Sequence, residues 1–305
     1  MMYKVINFDS WFLDSDCGSN GSGAIEKIWL VNPQDGKRGL FKFPKIKSDG
    51  SVTGEYYAEK IASELGRLIK MPCADVDIGT YKGRVGSISY NFLKNNEFLN
   101  EGINFIQERY PSYNKNKFEE ALEGLKYNVQ MLKNLNINFE DILKMIIFDA
   151  LIGNSDRHHS NWGYIVEENN NTCSNIRFCP LYDNGSSLCS YVNDYDIKDI
   201  LRDKNRYNAL IDTKSKSCIG WEDERPIRHF ELIKKIKANY YNETIDFVKE
   251  IKQKLTNSSI KNILDSFENN VIVAEKKKLL FKVINDRKLK ILEIYGIDGE
   301  KNDNE

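Results

Sequence analysis

Residues 151–163, Leu-Ile-Gly-Asn-Ser-Asp-Arg-His-His-Ser-Asn-Trp-Gly, decide how this chain is read. Asp156 and Asn161 stand in a D-x-x-x-x-N relation, and the interval has a chemical reason. A carboxylate can accept or orient the proton of an attacking hydroxyl. An amide oxygen five residues on reaches a Mg²⁺, a hard cation that prefers oxygen ligands. A short loop leaving a helix lets both side chains point into one cleft. Periodicity predicts that helix over 139–152, with Asn138 as its N-cap and Asp141 in its first turn. Asp149 lies near the helix C-terminus, where its charge opposes the dipole, so we expect it to tie down the loop that follows.

Downstream, an apolar hairpin (Tyr164–Glu167 with Ile176–Phe178) leads to Pro180-Leu-Tyr-Asp-Asn-Gly-Ser-Ser-Leu188. Asp183 thus arrives just after a strand and before a glycine. The D-x-x-x-x-N spacing is that of the protein-kinase catalytic loop, and D-N-G stands where such enzymes carry a metal-binding D-F-G. Two carboxylates in one cleft repel each other unless a cation joins them, which itself points to metal. His158 and His159 do not suggest zinc or iron, because adjacent side chains rarely share one ion and no third His is close. His158 is grouped with the catalytic residues as a brace for the loop.

Upstream, the first hundred residues read as mostly β with one helix. A glycine-rich stretch, Cys17 to Gly23, precedes strands at 27–31 and 39–43, joined by an Asn-Pro-Gln-Asp-Gly turn. Gly18, Gly21 and Gly23 are candidates for a phosphate-approaching loop. Their order, G-x-x-G-x-G, is the reverse of the usual one, and a bland flexible turn is the commoner reading of such a stretch. Lys42 stands where a strand lysine would neutralise ATP phosphates, and Glu55, opening the helix predicted over 55–69, is expected to pair with it. Strands follow near 76–80 and 85–90. Helices are expected over 116–133 and, after Pro226, through most of the chain to about 294. The last ten residues are polar and expected to fray.

The chain has 305 residues, with 41% hydrophobic and 29% charged, which excludes wholesale disorder. Lys and Arg number 44 against 45 Asp and Glu, so no basic excess marks a nucleic-acid binder. No apolar run spans a bilayer and the N-terminus carries acids where a signal peptide needs an apolar stretch, so a cytoplasmic protein is expected. Six cysteines contain no C-x-x-C pair and are expected to be reduced thiols.

The two central motifs, I-G-N-S-D-R-H-H-S-N-W-G and P-L-Y-D-N-G-S-S-L, resemble those of the HipA-like serine/threonine kinases, particularly the compact CtkA-like members. The resemblance implies an α+β, bilobal protein-kinase-like fold, with a β-rich N-lobe over 1–95, a mostly helical C-lobe over 96–295 and a disordered tail over 296–305. It implies ATP and Mg²⁺ as cofactors, Asp156 as base, Asn161 and Asp183 as metal ligands, and Lys42 as the phosphate lysine, with Glu55 in the helix that follows. The adenine hinge would fall near Tyr90–Leu93, at Asn91 and Phe92. Autophosphorylation would fall on Ser19 or Ser22. The resemblance permits a protein substrate such as an aminoacyl-tRNA synthetase and an antitoxin partner, although the extra N-terminal subdomain of full-length HipA has no room before Cys17. Two alternatives stay open: a lipid or small-molecule kinase using the same loop, which a basic face near the site would favour, and a pseudokinase binding module, which loss of Asp156 or Asp183 would favour.

Overall fold

The computed structural model describes residues 3–15, 26–114, 126–169 and 172–298. The glycine-rich stretch, with Gly18, Gly21, Gly23, Ser19 and Ser22, lies outside them, as does most of the helix expected over 116–133. Short strands β1 (Ile6–Asn7) and β2 (Phe12–Leu13) precede the hairpin β3 (Lys27–Val31) and β4 (Arg38–Lys42). Helix α1 (Glu55–Leu68) follows, then β5 (Val76–Tyr81) and β6 (Arg84–Tyr90). These strands form one six-stranded sheet in the order β1-β5-β6-β4-β3-β2, antiparallel except where β1 joins β5. Alternation along β4 turns Gly39 and Phe41 inward, with Phe41 packed among Phe8, Leu30 and Ile88. Gly86 on β6 lets the neighbouring strand approach closely: a Cβ there would stand 2.4 Å from the Lys42 carbonyl oxygen.

A second sheet joins β7 (Glu97–Glu101) to the predicted hairpin, β8 (Gly163–Asn169) and β9 (Thr172–Phe178), in the order β7-β8-β9. Helix α2 (Gly102–Arg109) continues from β7. In the described part of 116–133, helix α3 begins only at Val129 and runs to Lys133, because the Asn128 side chain caps it by accepting from the Met131 amide. Helix α4 (Phe139–Ile152) has the predicted bounds and cap, with Asn138 accepting from the Glu140 amide at 3.3 Å. Gly153 ends it in the left-handed conformation, φ 70°, that favours glycine.

Beyond the site come α5 (Ile197–Arg202), α6 (Lys204–Asn208) and a π turn at Ala209–Thr213. Strands β10 (Lys216–Ser217) and β11 (Ile227–Arg228) precede α7 (His229–Asn239), α8 (Tyr241–Lys254), α9 (Asn257–Asp265) and α10 (Ala274–Tyr295). One apolar cluster unites α1 (Ala58, Ile61, Leu65) with α4 (Ile146, Phe148, Leu151) and α10 (Leu280, Ile284). Each fully buried Leu, Ile or Phe among them contributes about 1.5–3 kcal/mol. Helix α1 therefore joins the core of the helical body as well as packing against its own sheet. Cys73, Cys179, Cys189 and Cys218 are free thiols, as expected.

His229, the first residue of α7, is buried, and burial together with the nearby Arg287 cation holds its pKa well below the ordinary 6.5. The unfolded chain therefore binds a proton that the folded chain refuses, and stability falls as pH drops below about 6.5. His229→Phe should flatten that limb of the stability–pH curve measured by urea unfolding. An unchanged acid limb would assign the dependence to other groups.

Candidate active site

Four segments converge: the end of β4, the middle of α1, and the two motifs around Asp156 and Asp183. The Lys42 ammonium donates to Glu59 Oε1 and to Asp183 Oδ1, both at 2.9 Å. Burial opposes its charge, but the two carboxylates outweigh burial and hold its pKa above the ordinary lysine value. In turn Lys42 holds the Asp183 carboxyl below the usual range. Asp183 itself has φ 58°, a left-handed conformation that aspartate tolerates better than most residues.

Lys42 does not pair with Glu55. Glu55 is the first residue of α1 and serves the helix entrance, where Oε2 accepts from the Lys45 amide at 3.0 Å and from the Thr53 hydroxyl at 2.6 Å. Its other oxygen accepts from the Tyr191 hydroxyl at 2.8 Å. Glu59, one turn on and on the same face, takes the lysine. Glu59 Oε2 also accepts from the Asn184 amide at 2.9 Å, so one buried carboxylate joins strand, helix and D-N-G segment. Sequence reasoning missed Glu59, although an acid amid Ala58, Ile61 and Ala62 on a buried helix face was a readable sign. Glu59→Gln should therefore reduce turnover at least tenfold and raise KM for ATP, while Glu55→Gln should act mainly on stability. Steady-state kinetics showing the opposite ranking would reverse these assignments.

The catalytic-loop candidate is built on Arg157. Its guanidinium, almost fully buried, reaches Asp149 through Nε at 3.1 Å and Nη2 at 2.9 Å. It also donates to the carbonyls of Asn161 and Tyr182, both at 2.8 Å, and to Asn184 Oδ1 at 2.5 Å. Asp149 overcomes the burial penalty and keeps this guanidinium charged. Asp149 also accepts from Asn154 Nδ2 at 3.1 Å, and Asn154 Oδ1 accepts from the Asp156 amide at 3.0 Å. The expectation that Asp149 ties down the loop describes what these bonds do.

Asn161 donates through Nδ2 to the Asp156 carbonyl at 2.9 Å, which commits the amide nitrogen and leaves the oxygen to face the other way. His158 Nδ1 accepts from the Ser160 amide at 3.2 Å, a bracing contact within the loop. His159 packs its ring against Tyr113 and Tyr127. Burial raises the Asp156 carboxyl; His158 works against that rise and the Asp183 charge adds to it. Toward the expected hinge, the Asn91 amide donates to the Arg38 carbonyl at 2.9 Å, and the Phe92 ring stacks on Tyr182 with centroids 6.2 Å apart. The Asn91 N–H is thus already committed, while Phe92 borders the cleft beside Asp183.

Among the described residues no three His, Cys, Asp or Glu side chains gather as a self-sufficient metal cage. The donor set fits magnesium nonetheless. Mg²⁺ commonly takes one or two protein oxygens and completes its shell from substrate phosphates and water, and Asp183 and Asn161 offer one carboxylate and one amide oxygen.

The sequence pattern of the HipA-like C-terminal domain matches residues 19–270. The chain belongs to that family. It is 22% identical over 264 residues to the serine/threonine-protein kinase CtkA of Helicobacter pylori, covering 84% of this chain and 77% of that one. The crystal structure of the Helicobacter pylori proinflammatory kinase CtkA superposes with a TM-score of 0.78 at 19% identity, covering 96% of both chains. HipA of Shewanella oneidensis, solved with HipB and operator DNA, gives a TM-score of 0.56 at 14% identity over 92% of this chain and 67% of that one. The HipA-like chain thus has the expected bilobal kinase-like fold, and its family and relatives mark it as a protein serine/threonine kinase. Among the described residues no helix is long and apolar enough to cross a membrane.

Proposed function

We propose that this HipA-like protein transfers the γ-phosphoryl group of Mg-ATP to a serine or threonine hydroxyl. The observation that carries the reading is Lys42 held between Glu59 and Asp183, with Asp156 on the loop braced by Arg157. Asp156 accepts the hydroxyl proton as the acceptor oxygen bonds to the γ-phosphorus; the bond from that phosphorus to the β,γ-bridging oxygen breaks, and ADP leaves. Burial, by raising the Asp156 carboxyl, makes it a better base than an exposed aspartate. Lys42 offsets phosphate charge and keeps Asp183 ionised. Asp183 and Asn161 would hold Mg²⁺, which when bound supplies charge neutralisation across the phosphates. Arg157 acts at one remove, fixing the carbonyls of Asn161 and Tyr182 so that both motifs face one cleft.

In this reading residues 1–95 form the N-lobe and 96–295 the C-lobe, ATP lies between them with Asn91 and Phe92 at the hinge, and Gly18, Gly21 and Gly23, outside the described residues, are the candidates for binding its phosphates. Ser19 and Ser22 are the autophosphorylation candidates. The HipA relative was solved in a toxin–antitoxin complex with HipB, so the reading includes a toxin with an antitoxin partner, and the family resemblance permits a cytoplasmic protein substrate such as an aminoacyl-tRNA synthetase. The test is incubation of the purified protein with Mg²⁺ and γ-labelled ATP, with and without bacterial lysate, and mapping of the label by mass spectrometry. Phosphoserine or phosphothreonine on this chain or on a lysate protein is expected. Label confined to small molecules or lipid would overturn the protein-kinase reading.

A further inference from the structure

Arg157 serves the catalytic-loop candidate through its side chain, and its backbone has a separate holder. The Tyr127 hydroxyl donates to the Arg157 carbonyl at 3.1 Å and accepts from Trp162 Nε1 at 2.8 Å. Tyr127 and Trp162 are both fully buried. An indole N–H can only donate, so the single phenolic proton goes to the carbonyl and the chain of bonds runs one way. Burial lifts the Tyr127 phenol well above its ordinary pKa, which keeps that proton in place.

The two ends of this chain flank the two residues on which the site is built. Arg157 follows Asp156, and Trp162 follows Asn161. The Asp156 carbonyl accepts from the His158 amide and from Asn161 Nδ2, both at 2.9 Å, and these bonds stay within the loop. The Arg157 carbonyl instead reaches Tyr127, which is itself fixed. The Tyr127 carbonyl accepts from the Gly220 amide at 3.0 Å, and the Val129 amide donates to the Gly220 carbonyl at 3.0 Å. At the other end the Trp162 carbonyl accepts from the Gly102 amide at 2.8 Å. The indole lies so close there that a Cβ on Gly102 would stand 2.3 Å from its ring. One hydroxyl therefore links the residue after the candidate base to the residue after a candidate metal ligand, and ties both to segments outside the loop.

We propose that Tyr127 is a positioning residue for phosphoryl transfer, whose hydroxyl holds Asp156 and Asn161 in register by joining Arg157 to Trp162. The inference rests on the kinase reading and adds to it a fully buried residue that acts only through the loop. A misplacement of about 1 Å by a change remote from the chemistry can cost about a hundredfold in rate. Loss of one hydroxyl is enough to cause it. Tyr113 supplies the contrast. It is also buried and sets its ring edge-on to His159, as Tyr127 does, yet its hydroxyl has no hydrogen-bond partner among the described residues.

The experiment compares Tyr127→Phe with Tyr113→Phe, each of which removes one oxygen and leaves the ring packing. It reads turnover per ATP-binding site counted by calorimetry, KM for ATP, the indole ¹⁵N–¹H resonances, and amide hydrogen exchange in the loop and in α4. Tyr127→Phe should lower kcat per site about tenfold or more, with KM for ATP within about twofold of wild type. It should also move one of the four tryptophan indole resonances and speed exchange in the loop while leaving α4 unchanged. Tyr113→Phe should do none of these. Equal losses from both variants, a loss that vanishes once sites are counted, or exchange raised alike in α4 would make Tyr127 a packing residue and overturn the proposal. If Tyr127→Phe is too unstable to assay, Tyr127→Phe/Trp162→Phe leaves no unpaired indole N–H and should stay as slow; wild-type turnover there would also overturn it. An unmoved indole resonance in Tyr127→Phe, with transfer by the wild type intact, ends the positioning role alone. A wild type that transfers no phosphoryl group ends the kinase reading and this inference with it.

Discussion

Asp156→Asn should lower phosphoryl transfer by roughly 10²–10⁴-fold, the range that a positioned general base contributes, while ATP binding measured by calorimetry stays close to wild type. The substitution keeps the shape of the side chain and touches neither of the backbone bonds that place it. The Asp156 amide is held by Asn154 Oδ1, and its carbonyl receives Asn161 Nδ2. What is lost is the proton acceptor, and with it a negative charge beside Asp183. ATP affinity should therefore hold steady or rise slightly while kcat collapses. Turnover near the wild-type value would remove Asp156 from the chemistry and leave D-x-x-x-x-N as a structural loop.

Arg157→Met should cost about 3–5 kcal/mol of stability, because removing one partner of a buried ion pair strands the other. Asp149 lies on α4 with its side chain only 4% exposed, and apart from Arg157 it keeps the Asn154 amide as its side-chain donor. The same change releases the carbonyls of Asn161 and Tyr182 and the side chain of Asn184. Activity should accordingly fall even at temperatures where the variant remains folded. Asp149→Asn strands the guanidinium instead and should be comparably harmful. The double substitution Asp149→Asn/Arg157→Met should be less damaging than the sum of the two, since no unpaired charge is then left inside. Urea unfolding of the four proteins reads this cycle directly. Strict additivity would mean that the two residues act independently, contrary to the geometry.

These two expectations differ in how far the linear sequence could reach them. Asp156, Asn161 and Asp183 could be proposed from the sequence because their spacing suits the chemistry: a base and a metal-facing amide would share one short loop, and a second acid would arrive on a strand end. The importance of Arg157 was not readable. An arginine beside an aspartate in such a loop looks like any solvated charge until α4, the loop and the D-N-G segment are folded around it. Only then does one guanidinium serve Asp149, Asn184 and two carbonyls.

The lysine partner shows the same divide. Glu55 and Glu59 occupy one helix face a turn apart, and periodicity cannot choose between them. The choice is made by where α1 begins: Glu55, as its first residue, is drawn into the entrance bonds with Thr53, Lys45 and Tyr191, which leaves Glu59 level with Lys42. Local patterns did carry the regular elements. The helix 139–152 has its cap and its apolar run in the sequence itself, and the strand at 27–31 appeared with its predicted bounds. Strands β1 and β2 were not anticipated, because two residues each hold no period and exist only through their partners in the sheet. Strand β7 was missed for a related reason: Glu97-Phe-Leu-Asn-Glu101 is too polar to read as a strand alone and is held by pairing along the whole of its length with β8.

The amino-acid sequence by itself thus determined the order of the chemical groups, the capped helices and the hairpin, since these depend on neighbours within a few residues. Tertiary structure decided which glutamate holds Lys42, that Arg157 welds the two motifs together, and that the connection before α1 bonds to residues 190–193 through Gly54 and Lys47. Some of those outcomes join distant residues, as Lys42 with Asp183 and Glu59 with Asn184 do across more than a hundred positions, and others, such as Lys42 with Glu59 and Arg157 with Asn184, span only a few turns of chain. A buried charge accepts whichever partner the packing of helices and sheet brings within about 3 Å, and no local pattern encodes that distance.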